Sequence, residues 1–438
     1  MPSIERLPDP APSPAAPAAA PPAPPVGSAS ASAAEASAGI GRRLLRSRAA
    51  ALVLWLGTRA VMFAAAVAAG RGRTDEVHTL YPRWAAELAH GHFPFHDATW
   101  QYPPVAGLVF LAPRALPFLP YAAAFAVLML LCDAAVGLML LGAARGAGRR
   151  LDGLWLWVLG LPLLLQLPDI RFDVAVTALA VGSVLLLNRS AVGGGALAAL
   201  GALVKAWPVL VLIGTPRGRA TRRSWSSALA TGALLAGLAA ALFTHAFDFL
   251  GEQGSRGIEI ESLPGSLLLA AKLVGYHGTV HYSYGSFQVF GPGVSALGTA
   301  TLALTALGLG WLLRWRLRAR VWTAATAADA AFTAMLVFVT TSRVISPQYF
   351  VWLLGLGALC LAFRSTGQRW PALALLPLTA LTTLGYPVLW AGLKEDHLIP
   401  VAVLLLRNLG LLAATVYAAV RLRRSTAVGS EQLPQAPS

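Results

Sequence analysis

Residues 71–104 read RGRTDEVHTLYPRWAAELAHGHFPFHDATWQYPP. Over 76–90 the apolar residues Val77, Leu80, Trp84 and Leu88 recur at helical spacing, and Gly91 follows as a stop. Apolar runs lie on both sides, 49–69 before and 105–116 after. A short helix with one apolar face, beside a membrane-length run and flanked by Trp and Tyr, belongs flat in the membrane interface. That geometry would hold Asp75, at its leading end, and Glu76 beside it against the bilayer surface. Taken alone, the stretch fits a solvated connecting loop equally well, so the rest of the chain has to decide.

The whole chain has the composition of a polytopic membrane protein. Of its 438 residues 56% are hydrophobic and only 12% charged, too few charges to cover a soluble domain of this size. The net charge of +15 raises nucleic acid as a partner, but the arginines sit in short clusters between apolar runs, with no aromatic-interleaved basic face. Positive cytoplasmic loops attracted to anionic lipid account for them, and nucleic acid is excluded. The two cysteines, Cys132 and Cys360, fall inside apolar runs and read as small packing residues. Residues 1–40 are rich in Pro, Ala and Ser and read as a disordered cytoplasmic tail rather than a signal peptide, because the basic cluster follows them and the next apolar run is long enough to span. The expected organisation is this tail, a multi-span domain over 41–424, and a second disordered tail over 425–438.

Periodicity and hydropathy give an all-α fold of about twelve spans, near 49–70, 104–117, 120–143, 152–167, 172–188, 192–213, 225–246, 292–313, 321–341, 347–363, 370–391 and 398–420. Basic clusters around Arg43, Arg217, Arg316, Arg364 and Arg423 put both termini and the loops near 216–224, 314–320 and 364–369 in the cytoplasm. Residues 71–103, 247–291, 342–346 and 392–397 then fall outside. One loop conflicts: Arg145, Arg149 and Arg150 want the inside, whereas counting spans puts them outside. We expect three arginines tolerated outside; the other solution makes 104–117 re-entrant and leaves one further segment before Arg217 not crossing. In the long outer segment, 263–274 is expected as a second interfacial helix, followed by an aromatic cluster of Tyr276, Tyr282, Tyr284 and Phe287.

Arg59, Asp133, Lys205, Asp329 and Arg407 fall inside spans, where ionisable groups are paired or functional. Buried pairing, Arg59 with Asp133 for instance, is the expectation for all but Lys205. Lys205 sits in VKAWPV, where the proline frees a backbone carbonyl and can turn the helix toward a cavity.

Four stretches, TDEVHTLYPRWAAELAHGHFPF, WQYPPVAGLVFLAP, RGIEIESLPGSL and RVISPQYFVWLL, together resemble glycosyltransferase family 87, the polyprenyl-phosphate-mannose-dependent mannosyltransferases within the C-type glycosyltransferase superfamily. The resemblance implies a multi-span cell-membrane enzyme with an extracytoplasmic active site and interfacial helices in two outer loops. It implies inverting transfer of a hexose, most simply mannose, from a polyprenyl-phosphate sugar to a glycolipid or glycan acceptor. The family's acid falls on Asp75. Transfer from a phosphate needs one carboxylate to take the acceptor's proton and cations to hold the departing phosphate, roles suited to Asp75 and to Arg343 and Arg256. Glu76, Tyr81, Tyr102, Lys205, Glu259, Glu261, His281, Ser346, Gln348 and Tyr349 complete the expected substrate-binding set. Capping of the helix after Pro347 is the alternative for Ser346, and a helix-dipole role the alternative for Glu261. No Gly-rich phosphate loop follows a strand, so a lipid-linked donor fits better than a nucleotide sugar. The spacing of His245, His277 and His281 matches no zinc pattern, and neither metal nor cofactor is expected. The competing readings are a transporter and a non-catalytic family member acting in envelope assembly.

Overall fold

The computed structural model describes residues 47–69, 75–94, 97, 99–251 and 257–427. The 1–40 tail, most of the 425–438 tail and Arg256 lie outside them. The described chain is mostly helical, and six helices are long and apolar enough to cross a membrane: Arg48–Ala65, Tyr121–Ala143, Arg219–Leu242, Val294–Arg318, Arg369–Val388 and Leu398–Ser425. Shorter apolar helices, among them Asp152–Leu164, Asp173–Leu187, Thr326–Thr341 and Tyr349–Leu361, fill the bundle between them. The core is apolar almost throughout, with Phe332, Phe350, Trp352 and Trp157 fully buried.

Two ends of the bundle differ in chemistry. At one, the loop carrying Arg149 pairs with the loop after the Tyr349–Leu361 helix: Arg149 bridges Phe363, Arg150 donates its N–H to the Ala362 carbonyl, and Arg364 donates to Gly148. Arg316 and Arg217 meet the same end through hydrogen bonds to Thr221 and to the Leu317 carbonyl. The Arg145–Arg150 loop therefore shares an end with Arg364, and the expectation that it lies opposite the other basic clusters is corrected.

Neither 104–117 nor 192–213 is one continuous helix. The 104–117 stretch folds as Ala106–Leu111 and a 3-10 turn, Ala112–Ala115. The Arg114 guanidinium reaches the Ala85 carbonyl and the Tyr121 hydroxyl the Phe110 carbonyl, so this segment leaves and returns at one end. The 192–213 stretch is likewise not one span. It breaks at Lys205, whose backbone is extended, into Ala191–Val204 and a 3-10 helix, Trp207–Gly214. Pro208 lacks the N–H that would carry the first helix onward. Both outer ends of this hairpin face the arginine end, where Ser227 donates to the Val192 carbonyl and Trp225 to that of Leu212. Gly195 lets the backbones approach, since a Cβ there would collide with the Ser224 carbonyl.

The opposite end carries the short helix of the opening stretch. After a turn in which His78 and Thr79 donate to the Asp75 carbonyl, the α-helix runs Leu80–Ala89 and buries Tyr81, Trp84, Ala85 and Leu88. The helix expected over 263–274 is Leu263–Lys272, capped by the Ser262 hydroxyl, which accepts from the Gly265 N–H. The fold is not wholly α. A three-stranded antiparallel sheet, ordered β1 (Ile258–Glu259), β3 (Ser286–Phe290), β2 (Thr279–Ser283), follows from a two-residue turn at Tyr284 and Gly285. Both have positive φ, 51° and 77°, as a type I′ hairpin requires.

Three of the charges expected inside spans have close partners, and a fourth is held by hydrogen bonds. Arg59 makes two hydrogen bonds to Asp133, 2.7 and 3.1 Å, and Trp55 and Trp157 add indole N–H donors, so the expected pair is present. Arg407 meets the Glu261 carbonyl at 2.8 Å and its carboxylate at 3.8 Å. Asp329 differs from expectation: it accepts from the Thr366 hydroxyl and the Gly367 N–H, tying down the 366–367 turn.

Candidate active site

A cavity of about 610 Å³ opens at the end that carries the short helix. Its lining comes from the first loop (Asp75, Glu76, Trp84, Gln101, Tyr102), the 167–171 link, the hairpin tip at Lys205, the sheet and the 344–349 turn. The Gln101 amide donates to the Tyr284 carbonyl and ties the first loop to the hairpin between β2 and β3.

The acids of the first loop stand in different surroundings. Asp75 accepts at Oδ1 from the His78 N–H and lies 2.6 Å from His78 Nδ1. Glu76 is held by the Arg171 guanidinium and by the Tyr81 hydroxyl, 3.2 Å away. Tyr81 sits fully buried beneath it, and burial followed by the Glu76 charge pushes its phenol well above the ordinary value. Tyr102 is raised for the same two reasons. Asp97 anchors the far end of the loop; burial works against its charge, yet hydrogen bonds from Thr99 and Trp84 hold it below the usual carboxylate range.

Among the described residues two cations line the cavity. Lys205 Nζ lies 2.7 Å from Asp173, which also accepts from the Trp352 indole at 2.7 Å. Four aromatic rings surround the ammonium: Trp352 at 4.8 Å, Phe172 at 4.9 Å, Tyr349 at 5.7 Å and Tyr102 at 5.8 Å. Arg171, two residues before Asp173, is the second. Across the cavity stand Glu259, which accepts from the Ser346 hydroxyl at 3.4 Å, and Glu261. Burial raises the Glu261 carboxyl to about 7 against the pull of Arg407. An aromatic wall of Tyr282, Tyr284, Phe287, Tyr386 and Trp390 closes that side.

Asp75, Glu76, Tyr102, Lys205, Glu259, Glu261, Ser346, Gln348 and Tyr349 thus share one cavity. Ser346 turns its hydroxyl to Glu259 instead of capping the next helix. Three expected residues are not in the lining. Tyr81 lies beneath the cavity and donates its hydroxyl to Glu76. His281 packs on Phe290, on the face of β2 opposite Tyr282. Arg343 is placed by its backbone carbonyl, which accepts from the Glu259 N–H. Arg171 was missed, although PDIRFD marks a short polar link between apolar runs. Among the described residues no three of His, Cys, Asp and Glu gather closely enough to hold a metal ion.

A helical membrane protein with a cavity of carboxylates, two cations and aromatic planes at one end has the parts of a glycosyl-transfer site: proton acceptors, phosphate partners and sugar-sized apolar faces. Residues 100–347, more than half of the chain, match the profile of glycosyltransferase family 87, and the chain belongs to that family. The match encloses Tyr102, Arg171, Lys205, Glu259, Glu261 and Ser346, and begins after Asp75 and Glu76. No curated protein matches the chain. No solved structure matches it either.

Proposed function

We propose that this glycosyltransferase moves a hexose, mannose in our reading, from a polyprenyl-phosphate donor to a glycolipid or glycan on the extracytoplasmic face, with inversion. The observation that carries the proposal is the shared cavity of Asp75 with Arg171 and Lys205, at the end of the bundle opposite the arginine-rich loops. Asp75 takes the proton of the acceptor hydroxyl as the new bond forms. The donor phosphate is already a competent leaving group and needs no general acid; the two cations hold the charge it gains. The same role is expected from the sequence for Arg343 and Arg256; Arg343 is not in the lining and Arg256 lies outside the described residues.

The same arrangement supports a topology of ten crossings, by the segments beginning at Arg48, Tyr121, Asp152, Asp173, Arg219, Val294, Thr326, Tyr349, Arg369 and Leu398. Residues 106–115 and the 191–214 hairpin enter without crossing. Both termini are then cytoplasmic and every basic loop lies on their side. The multi-span domain over 41–424, flanked by two tails, belongs to this reading.

Membranes from a deletion strain, supplied with radiolabelled polyprenyl-phosphate mannose and either the wild-type chain or Asp75→Asn, test it. Wild type should restore a labelled glycolipid or glycan, and the Asn variant should lower transfer by about two to four orders of magnitude at normal expression. Near-normal transfer by Asp75→Asn, with Glu76→Gln inactive, would move the base by one residue. Donor-independent solute uptake into vesicles would point to the transporter.

A further inference from the structure

We infer that the arginine end carries a binding site for the phosphate headgroup of an anionic membrane lipid, formed by Arg217, Arg318 and Arg320. A second cavity, of about 530 Å³, opens there between the end of the 191–214 hairpin and the end of the Val294–Arg318 helix, lined by these three arginines and Leu317. All three arginines are exposed, and none has a carboxylate partner among the described residues. The chain offers no close candidate in sequence either: no Asp or Glu occurs over 216–247 or over 291–328. Arg316, buried beside the same wall, adds a fourth positive charge, and its Nε has no partner among the described residues.

Helix capping accounts for only part of this. Arg217 donates one N–H to the Leu317 carbonyl at 2.9 Å, a suitable partner for the last turn of a helix. That bond fixes the guanidinium and leaves its remaining donors for an anion. Arg318 and Arg320 have no such role. Three planar guanidiniums around one opening suit the oxygens of a phosphodiester. The apolar wall decides between a lipid and a free anion. Leu313 and Leu317, one helical turn apart, are 47% and 53% exposed, and Val321 is 37% exposed, so acyl chains have a surface leading away from the headgroup. Basic pockets between helices on the cytoplasmic side are the expected seat of anionic headgroups. The site depends on the chain being in a membrane and not on the glycosyl-transfer chemistry.

The test uses the full chain in neutral detergent and follows the thermal midpoint with added short-chain phosphatidylglycerol, phosphatidylcholine or inorganic phosphate. Phosphatidylglycerol alone should raise the midpoint in the wild type and in a control variant, R189Q/R369Q/R423Q. The variant R318Q/R320Q, which keeps the Arg217 cap, should need about tenfold more of that lipid for the same rise; R217Q/R318Q/R320Q should lose the response. An equal response in R318Q/R320Q, or one from phosphatidylcholine, or none at all, would overturn the site. A matching rise from inorganic phosphate would assign the pocket to a free anion and overturn the lipid.

Discussion

Arg171 and Glu76 show how a contact escapes notice in a sequence. They are 95 positions apart, and nothing in PDIRFD or TDEVHT says that they meet; only the fold brings the guanidinium onto the carboxylate. Arg59 and Asp133 were legible because a charge inside an apolar run demands a partner within the bundle. With Arg171 and Glu76 about a quarter exposed, Arg171→Met should cost on the order of 2 kcal/mol, less than a fully buried pair would. Arg171→Met with Glu76→Gln should recover part of that loss in thermal unfolding, since no carboxylate is then left without its cation; additive losses would argue against coupling. Glu261 gives a pH signature. Its folded carboxyl is raised from 4.5 to about 7, so the unfolded chain releases that proton first and stability falls as pH rises across that interval. Glu261→Gln should flatten the decline of the thermal midpoint between about pH 5 and about 7.5, and parallel slopes for variant and wild type would remove the carboxyl as its cause.

At the scale of elements, helical periodicity found the short helix after Asp75 and the one after Ser262 to within a few residues. It missed the sheet, because TVHYSYGSFQVF reads as an aromatic cluster until Tyr284–Gly285 is recognised as a turn between alternating strands. That turn sets which residues face the cavity: Tyr282 lines it, while His281 points to the far face. Gly285 sits at φ +77°, and a β-branched residue there is strained by about 1–3 kcal/mol. Gly285→Val should therefore loosen the aromatic wall. In our reading this raises the acceptor KM and leaves the donor KM near its wild-type value; equal changes in both would detach the wall from the acceptor.

For the whole molecule, hydropathy located every apolar segment but not which of them cross. The physical reason is that a run such as 105–116 scores as apolar whether it passes through the bilayer or turns back, and what separates the two is the contacts at its ends, Arg114 with the Ala85 carbonyl and Tyr121 with that of Phe110. Charge carries the missing information. Moving the Arg145–Arg150 loop to the side of Arg364 makes 104–117 turn back, and the break at Lys205 then removes the second surplus crossing. This topology predicts a pattern of access to an impermeant thiol reagent in intact cells, on a background with Cys132 and Cys360 replaced by Ser. Cysteines in place of Thr99 and Phe118 should react from outside. Cysteines in place of Ala147, Asn188 and Thr221 should react only after permeabilisation. Phe118 and Ala147 decide the matter, because twelve full crossings would put the first inside and the second outside. Protection of Phe118→Cys together with outside labelling of Ala147→Cys would restore the twelve-span order and cost the re-entrant segments their basis.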